Sequence, residues 1–120
     1  MGTDATDLAP IMTLYNDGNY TEASQKLDEL ATDEPLVVIY KAICYSETNK
    51  MSQAIELLEA NRFKNTEYAL TIDWHLILFY LANANETKAE QLLDKFIVNT
   101  DGYQKESALK LKADLSSFWR

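Results

Sequence analysis

This sequence predicts an all-α chain of three helix-turn-helix hairpins followed by a closing helix, and three observations carry that expectation. Its 120 residues are 47% hydrophobic and 25% charged, enough for one globular core, yet they include only three Gly and two Pro. An all-β chain would need turn residues at about every 8–12 positions, so the scarcity favours long helices. The second observation is a repeat of a hydroxyl residue, any residue and an alanine, with leucines at a constant offset. It occurs at Thr21-Glu22-Ala23 with Leu27, at Ser52-Gln53-Ala54 with Leu57 and Leu58, and at Thr87-Lys88-Ala89 with Leu92 and Leu93. Third, each copy follows a polar turn, Asn16 to Asn19, Thr48 to Lys50 or Asn83 to Asn85. Each turn in turn follows an apolar stretch ending in Tyr15, Tyr45 or Tyr80.

The elements follow in order. Residues 1–6 read as a disordered tail or one left by cloning, and 7–120 as a single domain with repeats at about 7–34, 35–66 and 67–100. The first hairpin spans about 7–17 and 20–32. Pro10 is tolerated only in an opening turn, where its missing N–H has no partner, so this helix is expected to start between Asp7 and Pro10. Gly18 supplies the permissive backbone of the turn. The second hairpin spans about 35–48 and 51–61, opened by Pro35 with Asp33 and Glu34 placing negative charge at a helix N-terminus. The third spans about 67–83 and 86–99. In the last helix, about 103–118, Ala108, Leu111, Leu115 and Phe118 form a stripe that should cap the open end of repeat three. Within each hairpin the small alanine lets two helices approach, and the leucine four residues on fills the seam.

Gly18, Tyr20, Ala23, Leu27, Leu30 and Pro35 make this pattern resemble the tetratricopeptide repeat, whose period is about 34 residues. The second unit keeps Ala42, Tyr45, Ala54 and Leu58, with Met51 for the turn aromatic and no closing Pro. The third keeps Tyr80, Ala89, Leu93 and Phe96 and puts Ile77 where a small residue is usual. The resemblance covers residues 5 to 100 and implies a right-handed helical solenoid whose first helices line a concave face. It says almost nothing about function. A narrower resemblance is to short tetratricopeptide domains that follow a membrane anchor in inner-membrane proteins of Bacteroidetes-type bacteria. Asp17-Gly18-Asn19-Tyr20, the early Trp74 and the closing Asp101-Gly102-Tyr103-Gln104-Lys105-Glu106-Ser107-Ala108 carry it. It implies a periplasmic domain; without it, a cytoplasmic placement is equally open.

Eleven basic against nineteen acidic side chains give a net charge of −8, which repels phosphate backbones and anionic lipid. Neither nucleic acid nor direct membrane contact is therefore expected. Met1-Gly2 is the kind of start that cloning leaves, which leaves room for a signal or anchor upstream. Cys44 and His75 are the only thiol and imidazole. A Cys–His nucleophile would need them in contact with a third group, and one of each cannot supply the ligands zinc requires. Cys44 reads instead as a small buried hydrophobe. Paired carboxylates such as Asp28-Glu29 sit on solvated faces rather than in a dry cleft, and no calcium or phosphate loop occurs. Asn19-Tyr20-Thr21 and Asn85-Glu86-Thr87 match the glycosylation acceptor, a triplet that turn and cap chemistry also produces unaided. No catalytic residue, cofactor or metal is expected.

The surface the repeat singles out is the inner face, lined by Leu8, Met12 and Tyr15, then Leu36, Ile39 and Ile43, then Trp74, Leu78 and Leu81. Family members that clamp a C-terminal carboxylate use Lys and Asn at positions held here by Ile39, Ile43, Trp74 and Leu78, so that clamp is absent. The expected role is a non-enzymatic module that binds a protein or peptide segment through Met12, Tyr15, Ile39, Ile43, Trp74, Leu78 and Leu81. The alternative is a structural spacer or self-assembly domain of a membrane-anchored protein with no free peptide groove, either a homodimer in which another copy's terminal helix fills the groove or a fold whose inner face is simply core. Trp74 separates the two, because Tyr103 and Trp119 could fold over it.

Overall fold

The computed structural model describes residues 5–30, 32, 34–64 and 67–118, with side chains from Leu8 to Ser116 within that range. Among these residues the chain is all-helical, with no strand. The helices are α1 (Ala5–Asn16), α2 (Tyr20–Glu29), α3 (Pro35–Glu47), α4 (Met51–Asn61), α5 (Ala69–Ala82), α6 (Glu86–Asn99) and α7 (Lys105–Phe118). Two compact units divide it, Met1–Asn65 and Thr66–Arg120. In the first, α1 packs on α2, α2 on α3 and α3 on α4; in the second, α5 packs on α6 and α6 on α7.

The repeated alanines explain the close pairs. Ala23, Ala54 and Ala89 expose no surface at all, and the leucines four residues further on, Leu27, Leu58 and Leu93, are buried with them. A methyl side chain at the crossing lets the partner helix approach, and one turn later the leucine fills the space that opens. In the first unit Ala23 and Leu27 cluster with Ile11, Val37 and Cys44, so α1, α2 and α3 share one core.

One backbone device closes all three hairpins. Gly18, Asn49 and Ala84 adopt left-handed φ angles of 83°, 63° and 59°. The next residue's N–H then reaches back five residues: Asn19 to the Leu14 carbonyl at 2.9 Å, Lys50 to Tyr45 at 2.9 Å and Asn85 to Tyr80 at 2.8 Å. This is the Schellman motif, which satisfies carbonyls that a helix end would leave unpaired. Each incoming helix opens with the same bond, from the N–H of Ala23, Ala54 or Ala89 to the carbonyl four residues before it. The left-handed residue therefore lies five positions ahead of the seam alanine every time.

That register corrects the sequence alignment at the tyrosines. Tyr45 and Tyr80 both supply the accepting carbonyl, whereas in the first turn Leu14 does so and Tyr15 sits one position later. Tyr15 is accordingly aimed differently, with its ring edge-on to Tyr20 at 5.5 Å and to Tyr40 at 5.3 Å.

A second correction concerns Pro10. α1 starts at Ala5, inside the expected tail, and carries Pro10 as an interior residue. The proline removes a single bond, the one its N–H would have made to residue 6. The helix runs through because Ile11, immediately after it, is locked into the α1–α3 core. Pro35 behaves as expected, at the first position of α3 with Glu34 as N-cap. The Glu34 side chain makes no capping bond there; the Thr32 hydroxyl instead accepts the Glu34 N–H at 3.2 Å. Asp33 lies outside the described residues.

α7 buries Ala108 and half-buries Leu111 and Leu115, while the Phe118 side chain lies outside the described set. Its approach is set by a polar corner. Thr100 is extended, its hydroxyl donates to the Tyr103 carbonyl at 2.7 Å, and the Gly102 N–H donates to that Thr100 hydroxyl oxygen at 3.4 Å.

Candidate functional site

Counting back from the left-handed turn residue groups the expected inner-face side chains by repeat position, each group a column of equivalent positions in sequence. Leu8, Ile39 and Trp74 stand ten positions before it; Met12, Ile43 and Leu78 stand six before it. Within each column the exposure differs. In the first unit Ile39 is only 4% exposed and contributes to the core, whereas Met12, Tyr15 and Ile43 are half-buried. Leu36, one residue into α3, is more open.

Tyr15 is held by its two edge-on neighbours, and burial, followed by the nearby Tyr20, Cys44, Tyr40 and Glu47, raises its hydroxyl pKa. Such edge-to-face pairs contribute about 0.5–1.5 kcal/mol beyond the area they bury. A polar tie runs alongside. The Tyr45 hydroxyl donates to Asp28 Oδ1 at 2.9 Å, and Lys41 Nζ approaches the same oxygen at 3.3 Å, linking α3 to α2. Desolvation and this hydrogen bond push the Tyr45 pKa up to about 12. This cluster leaves almost no mark in the sequence. Its only trace is that Lys41 and Tyr45 are four apart and so share a helix face.

In the second unit, α5 is apolar nearly all round, and Leu76 and Ile77 are fully buried. Trp74 is half-buried, its ring 5.5 Å from that of Phe96 on α6. Tyr103 packs on the same phenyl ring at 6.4 Å, so Phe96 meets both larger aromatics. Trp119 is outside the described residues. Further along α5, Leu78 is 39% exposed and Leu81 half-buried. Two apolar residues that the repeat did not signal stand furthest into solvent: Phe63, with the Arg62 guanidinium 4.7 Å from its ring centre, and Val98 on α6.

The polar groups are arranged for structure. Cys44 is fully buried, and desolvation lifts its thiol pKa to about 11, which holds it protonated and weakly nucleophilic at neutral pH. His75 belongs to the other unit, and its Nδ1 lies 2.8 Å from the Thr71 carbonyl. A carbonyl only accepts, so Nδ1 carries the proton. The Asn85 side chain accepts the Lys88 N–H at 3.3 Å as the cap of α6, which employs one of the two glycosylation triplets. Between α6 and α7 a cleft of about 40 Å³ is lined by Leu93, Leu115 and Ser116 and spanned by the Lys112–Asp94 ion pair.

Among the described residues no three His, Cys, Asp or Glu converge as a metal site, and no helix is long and apolar enough to cross a membrane. Compared with family models, curated proteins and solved structures, the chain matches none.

Proposed function

We propose that this chain is a non-enzymatic protein-interaction module of the tetratricopeptide type, which takes an apolar partner segment against the first helices of its hairpins. The observation that carries this reading is the state of α5. Ile72, Leu76, Ile77, Phe79 and Tyr80 are withdrawn from water, yet Leu78 remains 39% exposed, and Leu70, Trp74, His75 and Leu81 are only half-buried on the same helix. Large aromatics with adjoining aliphatic surface contribute most to binding when a partner completes their desolvation. The shared turn geometry and the buried alanines support the repeat assignment. Met12, Tyr15 and Ile43 would be the corresponding contacts in the first unit, with Ile39 acting from beneath as core.

Trp74→Ala with Leu78→Ser tests the reading. Intact cooperative unfolding with lost retention of partner protein supports it; unaltered retention overturns it. A second reading, a self-assembling spacer, is favoured by the exposed Val98 and Leu109 on α6 and α7. Light scattering over a range of concentrations separates the two, since a dimer dissociating on dilution belongs only to the second. The narrower proposal of a periplasmic domain behind a membrane anchor is tested by the gene sequence upstream of residue 1.

A further inference from the structure

The sequence contains two Asp-Gly steps, Asp17-Gly18 and Asp101-Gly102, and all four residues are exposed. An Asp-Gly step is chemically labile because glycine has no side chain to block its own nitrogen. That nitrogen can attack the aspartyl Cγ, closing a five-membered succinimide with loss of one water. Hydrolysis returns the water at either carbonyl. One direction restores aspartate, and the other routes the main chain through Cβ as isoaspartate, so mass balances and no co-reactant other than water is needed.

The fold treats the two steps differently. At Asp17-Gly18 the attacking nitrogen is committed to the Schellman turn: Gly18 N–H donates to the Tyr15 carbonyl at 3.1 Å, Asp17 N–H donates to Thr13 at 3.0 Å, and the Asn19 bond closes the motif behind them. Rotating Asp17 toward attack breaks that turn. At Asp101-Gly102 the step lies beyond the end of α6, Gly102 has a φ of 134°, and its N–H makes a longer hydrogen bond, 3.4 Å, to a side chain, the Thr100 hydroxyl, instead of to a main-chain carbonyl. That hydroxyl's shorter bond, at 2.7 Å, goes to the Tyr103 carbonyl.

We propose that Asp101-Gly102 is a self-modification site of this protein, converting to isoaspartate through a succinimide while Asp17-Gly18 is protected by its turn. The extra backbone carbon falls inside the corner that Thr100 closes onto Tyr103. Conversion would loosen the seating of Tyr103 on Phe96 and of α7 on α6.

The test is to age the full chain at neutral pH and body temperature for several weeks. Isoaspartate is then located by enzymatic methylation and by the failure of an aspartate-directed protease to cleave. Site 101 is expected to convert about fivefold faster than site 17, the factor that one net backbone hydrogen bond is worth. Asp101→Glu, whose ring closure would be six-membered and slow, should abolish the signal at 101 and leave the slower one at 17, without altering helicity. Equal rates, a faster reaction at 17 or no isoaspartate at either site overturns the proposal. The same chain in denaturant is the control. There the two rates should converge, and a preference for 101 that persists unchanged would assign it to neighbouring residues rather than to the fold.

Discussion

The first and third hairpins close with the same turn made from different residues. Gly18 and Ala84 occupy the same left-handed position, and their N–H groups each donate at 3.1 Å, to Tyr15 and Leu81 respectively. Glycine adopts that φ freely, whereas alanine pays about 1 kcal/mol for it. Yet Ala84 holds the geometry five residues ahead of a seam as tight as that at Ala23. The comparison teaches that the helix–helix seam dictates the turn, and that the turn residue only sets how much strain the closure carries. Beneath the turns the hairpins differ again. The first rests on the edge-on cluster of Tyr15, Tyr20 and Tyr40, the third on two large aromatics meeting Phe96.

The largest expected effect sharpens that second contrast. Phe96→Ala should cost about 3–5 kcal/mol in urea unfolding, because a fully buried ring touched by Trp74 and Tyr103 leaves a cavity. Trp74→Ala should cost clearly less, being half-exposed; equal losses would mean that Trp74 is core. Next come the seams. Ala23→Leu, Ala54→Leu and Ala89→Leu should each overpack a crossing and cost about 1–3 kcal/mol, and thermal melting unchanged in all three would dissolve the equivalence of the hairpins.

The turn residues come third and should move in opposite directions. Ala84→Gly should raise stability and Gly18→Ala lower it, the loss at Gly18 amounting to about 1 kcal/mol or slightly more. No atom lies within 4 Å of a Cβ built on Gly18, so its penalty would be purely conformational. Changes of the same sign would show that the turns are not alike.

The smallest effect is pH-dependent. Tyr45 titrates at about 12 in the folded chain against 10.0 as a free group, so the folded state retains the proton that the unfolded chain releases. Its contribution is present in full below pH 10 and fades as pH rises toward 12. Cys44, lifted from 9.0 to about 11, falls in an overlapping window. The relevant measurement is therefore the difference between the parent and Tyr45→Phe, which should narrow across that range. A constant difference would remove the Asp28 tie from the account.

Helix positions were legible because alanine, leucine and turn residues repeat, and α3, α4, α5 and α6 lie within two residues of where the pattern puts them. The start of α1 was not legible from Pro10. A missing N–H is a local penalty of about 3 kcal/mol, and the burial of Ile11 that offsets it depends on α2 and α3, which local spacing does not reveal. The tyrosine slip was hidden for a related reason. A tyrosine before each turn matched by type, whereas the carbonyl that closes the turn has no side-chain signature. Repeat position could be read from spacing, but not how deeply each member sits, and so Ile39 and Trp74 share a column although one is buried and the other only half-buried.

The sealed thiol of Cys44 also gives this protein a built-in clock. A disulfide reagent can reach it only when the surrounding helices part, so its labelling rate reports how often the Met1–Asn65 unit opens. Trp74 falls in the Thr66–Arg120 unit, and the sequence places no tryptophan before residue 66, so fluorescence reports apart from the thiol. The unaltered chain thus carries a chemical probe in one unit and an optical probe in the other. Coincident denaturant midpoints would mark one cooperative body, and separate midpoints two bodies joined by a linker.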